Sequence, residues 1–465
     1  MQNRTDNDPQ TRKRIYMTTQ PVKKLIIRLA IPTMISMMIS SIYNMADTFF
    51  VGQISSGGAE ATSATAAVGI AFPLMAVIQA FGFMFGHGSG NYISRTLGSG
   101  RVKDAERMAS VGFFLALIAG ALLGIFGLIF LRPLVRLLGS TDTIEPFAVS
   151  YIRLILIGCP WMTASLVLNN QMRFQGNALF GMIGIASGGL INIALDPLLI
   201  FVMDLGITGA ALTTIISQLI AFCLLLIGSR KSDSLKIRFR NFRFTPHDLV
   251  ELFRGGAPSL FRQGIGSVAT TILNHAAGAF GDPAIAAMSI VSRVMMFANS
   301  MVIGFGQGFQ PVCGFNFGAK KYGRMREGFR FCVQCSTVFL TAAAAFIALF
   351  APSILAWFRG DDPEVIRIGA LALRLQCITL PIFGFIMISN MMMQATAFTF
   401  QASLSSVARQ GLFFLPLILI FPSFWGLTGI QVAQPAADAL TLILTYVMYR
   451  QVMGVISEKE RAEAT

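Results

Sequence analysis

Charge is scarce in this chain. Charged residues make up only 12% of its 465 residues, against 54% hydrophobic ones. A soluble domain carries about 25% charged residues, so this chain cannot clothe a water-facing surface over most of its length. Mean hydropathy is +0.66. Lipid must therefore be the solvent of most of it. Histidine is also scarce, with three residues. That argues against a lipid-acting membrane enzyme, which would need His, Asp or Glu clustered at one interface. No GxxxxGK[ST] string, no HExxH and no GxSxG with a plausible His–Asp partner occurs. His87 lies in Gly86-His87-Gly88-Ser89-Gly90, which reads better as the Gly-rich inner end of a span than as a phosphate loop. Without a nucleotide site, transport would have to draw on an ion gradient. Six cysteines are scattered along the chain. Cys332 and Cys335 form a C-x2-C inside an apolar stretch, with no second pair and no nearby His, so a structural thiol pair is expected and no cofactor. The first ~20 residues are polar and basic and lack the apolar core of a secretory signal.

What the chain does have is repetition. Gly206-Ile207-Thr208-Gly209-Ala210 recurs as Gly426-Leu427-Thr428-Gly429-Ile430, a shift of 220. Leu97-Gly98-Ser99-Gly100-Arg101 recurs as Phe317-Gly318-Ala319-Lys320-Lys321, again 220. Cys159-Pro160 with Asn169 matches Leu380-Pro381 with Asn390 at 221, and Ile31-Pro32 matches Ala257-Pro258 at 226. Landmarks in one order at a nearly constant offset predict two copies of one ancestral unit, a common plan of secondary transporters.

Twelve apolar stretches of spanning length are predicted. Six centre near Met34, Pro73, Ala121, Gly158, Leu190 and Ser217, and six near Ser267, Phe297, Thr341, Pro381, Gly411 and Leu440. The expected fold is all-α and integral to the membrane, with two six-helix bundles. An even number of spans per half sets the pseudo-twofold along the membrane normal. The expected organisation is a tail at 1–20, an N-terminal lobe at 21–229, a basic linker at 230–250, a C-terminal lobe at 251–452 and a tail at 453–465. The net charge of +14 concentrates in alternate loops: Arg12, Lys13 and Arg14; Arg95, Arg101, Lys103 and Arg107; Arg230 to Arg243; Lys320 to Arg330. These define the cytoplasmic side and place both termini there. The opposite loops carry the acids, and Trp357 and Trp425 fall at that outer face as interface anchors. Nucleic-acid binding would want a basic soluble domain, for which the chain has no room.

Charges inside spans need a partner or a role. Asp47 ends span one with Tyr43 four residues earlier on its helix face. Asp196 has Asn192 four residues earlier, and Pro197 frees the carbonyl of Ile193. Thr214 follows in span six. These oxygens suit a hard cation or a shared proton. Alternatively, Asp47 terminates its span in water and Asp196 caps a broken helix. The second half lacks these acids and holds Arg262, Gln263, His275, Arg293, Arg409 and Asp438 instead. Arg409 and Asp438 are expected to pair between spans eleven and twelve. Arg262, Gln263, Arg293 and His275 are candidates for a substrate cleft, and the arginines leave anion recognition open. Met295, Met296 and Met391-Met392-Met393 either line an adaptable pocket or pack as ordinary core.

At these residues the chain resembles the multidrug and toxic compound extrusion (MATE) family over about residues 20–450. The resemblance rests on the two halves, on Tyr43 to Gly52, on Gly306-Gln307-Gly308-Phe309-Gln310-Pro311 running into Gly314 to Ala319, and on Asn192 to Pro197. It is strongest for the bacterial DinF-like and MepA-like branch. The resemblance implies a V-shaped antiporter exchanging Na+ or H+ for amphipathic, often cationic, drugs; a bacterial inner-membrane location is expected, and a monomer, since a twelve-span pair of lobes needs no partner to form a cleft. It implies a cation site of Asp47, Asn192, Asp196 and Thr214, with Tyr43 close by and Asn169 by similar spacing. Pro32 and Pro197 would be hinges for alternating access. A rival of the same superfamily is a lipid-linked oligosaccharide flippase, to which Arg262 and Arg293 would lend basic lining. A channel is disfavoured because the halves differ in their polar residues and show no ring of charge.

Overall fold

The computed structural model describes residues 8–52, 59–231, 234–242, 245–359 and 362–464; side chains at 44–49, 51–52, 59–65, 359 and 464 lie outside the description. Among the described residues every regular element is helical. The first half runs α1 (Pro9–Thr19), α2 (Val22–Gly52), α3 (Ala59–Gly98), α4 (Val102–Ile129), α5 (Leu131–Leu137), α6 (Glu145–Phe174), α7 (Ala178–Pro197), a π-helical turn (Leu198–Val202) and α8 (Gly206–Lys231). The second runs α9 (Pro246–Gly278), α10 (Asp282–Gly318), α11 (Tyr322–Leu349), α12 (Ala351–Arg359), α13 (Pro363–Ala395), α14 (Thr399–Val407), a π-helical stretch (Ala408–Phe414), α15 (Leu415–Trp425) and α16 (Leu427–Ala464). In a bilayer only internally hydrogen-bonded segments such as these can cross.

Eleven of the described helical segments are long and apolar enough to span a membrane, and this is a multi-pass membrane protein. The expected seventh span exists as α9, but Asp248, Glu251, Arg254 and Arg262 make it too polar to count among the eleven.

The repeat is written into the backbone. Helix α3 ends at Gly98 and α10 at Gly318; α4 begins at Val102 and α11 at Tyr322. The left-handed residue after α3 is Gly100 (φ 82°) and after α10 it is Lys320 (φ 60°). The pair recurs after α6 and α13 as Gly176 (φ 84°) and Ala397 (φ 65°). At each end the same two bonds tie off orphan carbonyls, for instance Arg101 N to Thr96 O at 2.8 Å and Lys321 N to Asn316 O at 2.8 Å. This helix stop needs a residue in the left-handed region, which glycine adopts freely and other residues at a cost.

The chain forms two compact units. The first comprises residues 1–16 and 35–256, the second 17–34 and 257–465. This differs from the lobe boundaries expected from the sequence. Residues 21–34 go with the second unit, where a Cβ on Gly308 would fall 2.4 Å from Ala30 Cα and one on Gly304 2.8 Å from Met34 Cα. The basic linker and the first turns of α9 go with the first unit, where Gly256 approaches Met84 O as closely. So α2 and α9 each change unit partway along, within two residues of Pro32 and Pro258, the matched proline landmarks of the repeat.

Inside the first unit, small residues set the packing. Gly82, Gly86 and Gly90 form one row on α3, and a Cβ there would meet the side chains of Leu166, Asn170 and Phe174 of α6 at 2.6, 2.8 and 2.1 Å. Close backbone approach is the main route to helix association in lipid, where burial of apolar surface gives no drive. Gln171 of α6 donates to Ser89 Oγ on α3 and to Ala109 O on α4, both at 3.0 Å. Those bonds lock the three helices in register.

Candidate cation-coupling site

Four contacts fix the register around Asn192 and Asp196. On α8, Ala221 Cβ lies 2.9 Å from where a Cβ on Gly188 would stand, and Gly209 is set the same way against Leu199 O at 2.7 Å. The two helices are antiparallel, so Asn192 and Asp196 face the stretch of α8 between these points, which contains Thr213, Thr214 and Ser217. On α2, Tyr43 Cδ1 lies 3.2 Å from the Cβ position of Gly189, and the Phe50 and Phe201 rings meet at 6.5 Å. Helices α2 and α7 therefore run side by side in the same direction. The turn of α2 between Tyr43 and Phe50 lies level with Asp196. Asp47 belongs to that turn; its side chain lies outside the described residues.

The surroundings are buried and polar. Asp196 is 0% exposed, Asn192 3%, Thr214 6% and Ser217 2%. Asn192 Oδ1 is a buried acceptor with no hydrogen-bond partner among the described residues. Thr214 Oγ1 donates to Ala210 O at 3.1 Å, and Ser217 Oγ to Thr214 O at 3.0 Å. Both hydroxyl oxygens keep acceptor capacity. Asp196 does not cap a broken helix: the chain continues through Pro197 into a π-helical turn with no side-chain cap. Pro197 cannot donate and cannot fit a regular turn, and a π turn is how the helix absorbs it. A carboxylate, an amide oxygen and two hydroxyls on two adjoining helices make a hard-oxygen environment suited to Na+ or to an exchangeable proton.

Other expected site residues lie elsewhere. Asn169 is buried, but its Nδ2 donates to Gly181 O at 2.9 Å. Gly181 precedes Asp196 by fifteen residues on α7, about 22 Å at the helical rise. The same bond recurs in the second unit, where Asn390 Nδ2 donates to Ala402 O at 2.7 Å. This repeated pair ties α6 to α7 and α13 to α14, so Asn169 stands apart from the Asp196 cluster. Met295 is 7% exposed and belongs to the core of the second unit, so it does not line an open surface. Met391, Met392 and Met393 are likewise buried, with Met391 Sδ filling the space over Gly306. His275 lines a cavity of about 540 Å³ with Thr271, Asn274 and Leu419. Arg293 is exposed and Gln263 half-buried. Arg262 Nη1 is buried without a hydrogen-bond partner among the described residues.

Arg409 Nε donates to Asp438 Oδ1 at 2.7 Å and its Nη2 to Oδ2 at 3.4 Å. Gln434 Nε2 adds a bond to Oδ1 at 2.8 Å, and the guanidinium sits 4.5 Å from the Phe383 ring centroid. Sequence reasoning passed over Ser217, whose only signal was its place one turn after Thr214. It also passed over Arg173, 2% exposed, with Nη2 2.6 Å from Asn170 Oδ1 and its guanidinium 5.1 Å from the Phe174 ring centroid. Arg173 falls in Asn169-Asn170-Gln171-Met172-Arg173, at the end of α6.

Comparison with known proteins agrees on the family. The MatE family model matches residues 32–198 and again 258–420, once per half. The multidrug export protein MepA of Staphylococcus haemolyticus is 27% identical over 444 residues, covering 93% of this chain and 95% of that protein. A multidrug resistance MATE family transporter of the MOP superfamily, solved in an outward-facing conformation, superposes with a TM-score of 0.88 at 25% identity, covering 96% of this chain and 98% of the other. A MOP superfamily transporter from Pyrococcus furiosus, for which reversed polarity of the binding pocket suggests a different function, also superposes with a TM-score of 0.88 at 25% identity, covering 95% of this chain and 98% of that one. Two helical units built on one repeat, each matched by the same family model, show that this chain belongs to the MatE family of membrane transporters and is not an enzyme.

Proposed function

We propose that the protein is a cation-coupled multidrug efflux antiporter working by alternating access, with its coupling site in the first unit and its basic loops and both termini in the cytoplasm. The observation that carries this reading is the buried oxygen cluster of Asn192, Asp196 and Thr214, beside the turn of α2 that holds Asp47. A buried carboxylate beside an open amide oxygen and hydroxyls supplies hard donors for Na+ or a site for H+. Occupancy would favour one packing of α2 and α7, with Pro32 and Pro197 accommodating the change. The ion does work only through its different affinity for the two states. The relatives named for multidrug export support amphipathic, drug-like compounds as cargo.

The test is movement of a fluorescent cationic dye in inverted vesicles, with Na+ and pH gradients imposed separately. Dye movement driven by one gradient and lost in Asp196→Asn supports the reading and names the ion. Movement that Asp196→Asn leaves intact would place coupling elsewhere. A second reading, transport of an anionic or lipid-linked cargo, draws on the buried Nη1 of Arg262. It predicts no gradient-driven dye movement and loss of activity in Arg262→Gln.

A further inference from the structure

Beyond transport, the first unit carries a second built cavity, at the ends of its spans. It has a volume of about 780 Å³ and lies between the beginning of α4, the end of α8 and the linker that follows α8. Its apolar floor includes Phe113, Phe114, Leu226 and Leu235. Four cations line it, Arg230, Lys231, Lys236 and Arg238, against two carboxylates, Asp8 and Glu106.

The linker is held in place. Leu235 N donates to Gln175 Oε1 at 2.7 Å, Asn177 Nδ2 to Ser234 Oγ at 2.8 Å, and Arg238 N to Ser110 Oγ at 3.2 Å. Leu235 is 2% exposed while Lys236 and Arg238 are exposed, the alternation of an extended strap with one side inward. On the same face of this unit, Arg95 faces Glu251 at 3.3 Å, Arg101 faces Asp104 at 3.7 Å and Arg107 faces Asp248 at 3.1 Å. None of the four cavity cations forms an ion pair among the described residues.

The second unit shows the same place filled. At the repeat offset Ser229, which lines the cavity, becomes Tyr449, and Ala109 becomes Phe329; those two rings stack at 4.9 Å. Glu106 becomes Arg326, which is paired with Glu460, and Lys320 bonds to Glu463 at 3.0 Å. Glu463 holds the Lys320 ammonium above its ordinary range, first by that hydrogen bond and then by its charge. Helix α16 runs on to Ala464 and brings these acids, whereas α8 stops at Lys231.

We propose that this cavity of the first unit binds the phosphate of an anionic phospholipid, its headgroup among Arg230, Lys231, Lys236 and Arg238 and an acyl chain over the apolar floor between α4 and α8. Basic pockets at the cytoplasmic ends of spans recognise such headgroups, and the apolar floor beside the cations gives an acyl chain a surface that soluble phosphate would not use. The experiment uses the full chain in detergent, titrated with phosphatidylglycerol and with phosphatidylcholine and read by native mass spectrometry. Inorganic phosphate is the soluble arm, read by thermal shift. The wild type is expected to prefer phosphatidylglycerol, with affinity falling about fivefold for each cation removed. Two variants remove them in pairs, Arg230→Gln with Lys231→Gln, and Lys236→Gln with Arg238→Gln. Ser229→Tyr fills the cavity as in the second unit without touching charge and is expected to abolish the preference, whereas Arg240→Gln, on the linker outside the cavity, leaves it unchanged. A preference absent from wild type, or retained in all three cavity variants, overturns the proposal. So does protection by inorganic phosphate with no added effect of phosphatidylglycerol, which would make this a site for soluble phosphate.

Discussion

The two units share a scaffold, with landmarks at offsets of 220, 221 and 226, yet the neighbours of their buried carboxylates differ. In the second, Asp438 is neutralised by Arg409 and steadied by Gln434 and the Phe383 ring. In the first, Asp196 is buried along with Asn192, Thr214 and Ser217 of α7 and α8. Thr214 and Gln434 are the same position at the repeat offset. A carboxylate held by a guanidinium has a fixed counter-charge and little use for an exchangeable cation. One buried beside an amide oxygen and hydroxyls has hard donors around it that suit a cation that comes and goes. The repeat thus keeps the helices while the surroundings of the two buried carboxylates differ.

The largest effect that would break this comparison is functional. Asp196→Asn is expected to abolish gradient-driven dye efflux while leaving the melting temperature of the purified protein near that of wild type. Next, Arg409→Met is expected to destabilise the second unit by about 3 kcal/mol, because it strands a buried carboxylate. Arg409→Met with Asp438→Leu should recover most of that loss, read by thermal melts in detergent. Asn169→Ala and Asn390→Ala should each cost about 1 kcal/mol by removing the bond that ties two helices together. Both should retain ion-driven efflux, which separates a helix tie from a coupling residue. Smallest, Ala397→Gly should stabilise and Gly176→Ala destabilise by about 1 kcal/mol each, since both positions are left-handed.

Much of this architecture was legible in the sequence. The offset of 220 is a covalent fact, and it reappears as matched helix ends and matched left-handed residues. That Asn192 and Asp196 share one buried face was readable because residues four apart on a helix share a face and a membrane charge is costly. Asn169 misled because position along a span says nothing of which carbonyl a side chain reaches; only its bond to Gly181 O shows that. Met295 and the Met391 run gave no sign of facing inward, since an apolar residue suits both core and lipid. The change of unit within α2 and α9 was marked only by Pro32 and Pro258. A proline signals a break in the ladder without saying what lies on either side.

The most direct test of the central claim sets the two charged sites side by side. Purified wild type, Asp196→Asn and the Arg409→Met, Asp438→Leu double variant would be placed in proteoliposomes, with dye flux followed under a single imposed Na+ or pH gradient. The account predicts coupled flux in wild type and in the double variant, and none in Asp196→Asn. Coupled flux that survives in Asp196→Asn and disappears in the double variant would contradict it and move the coupling site to the second unit.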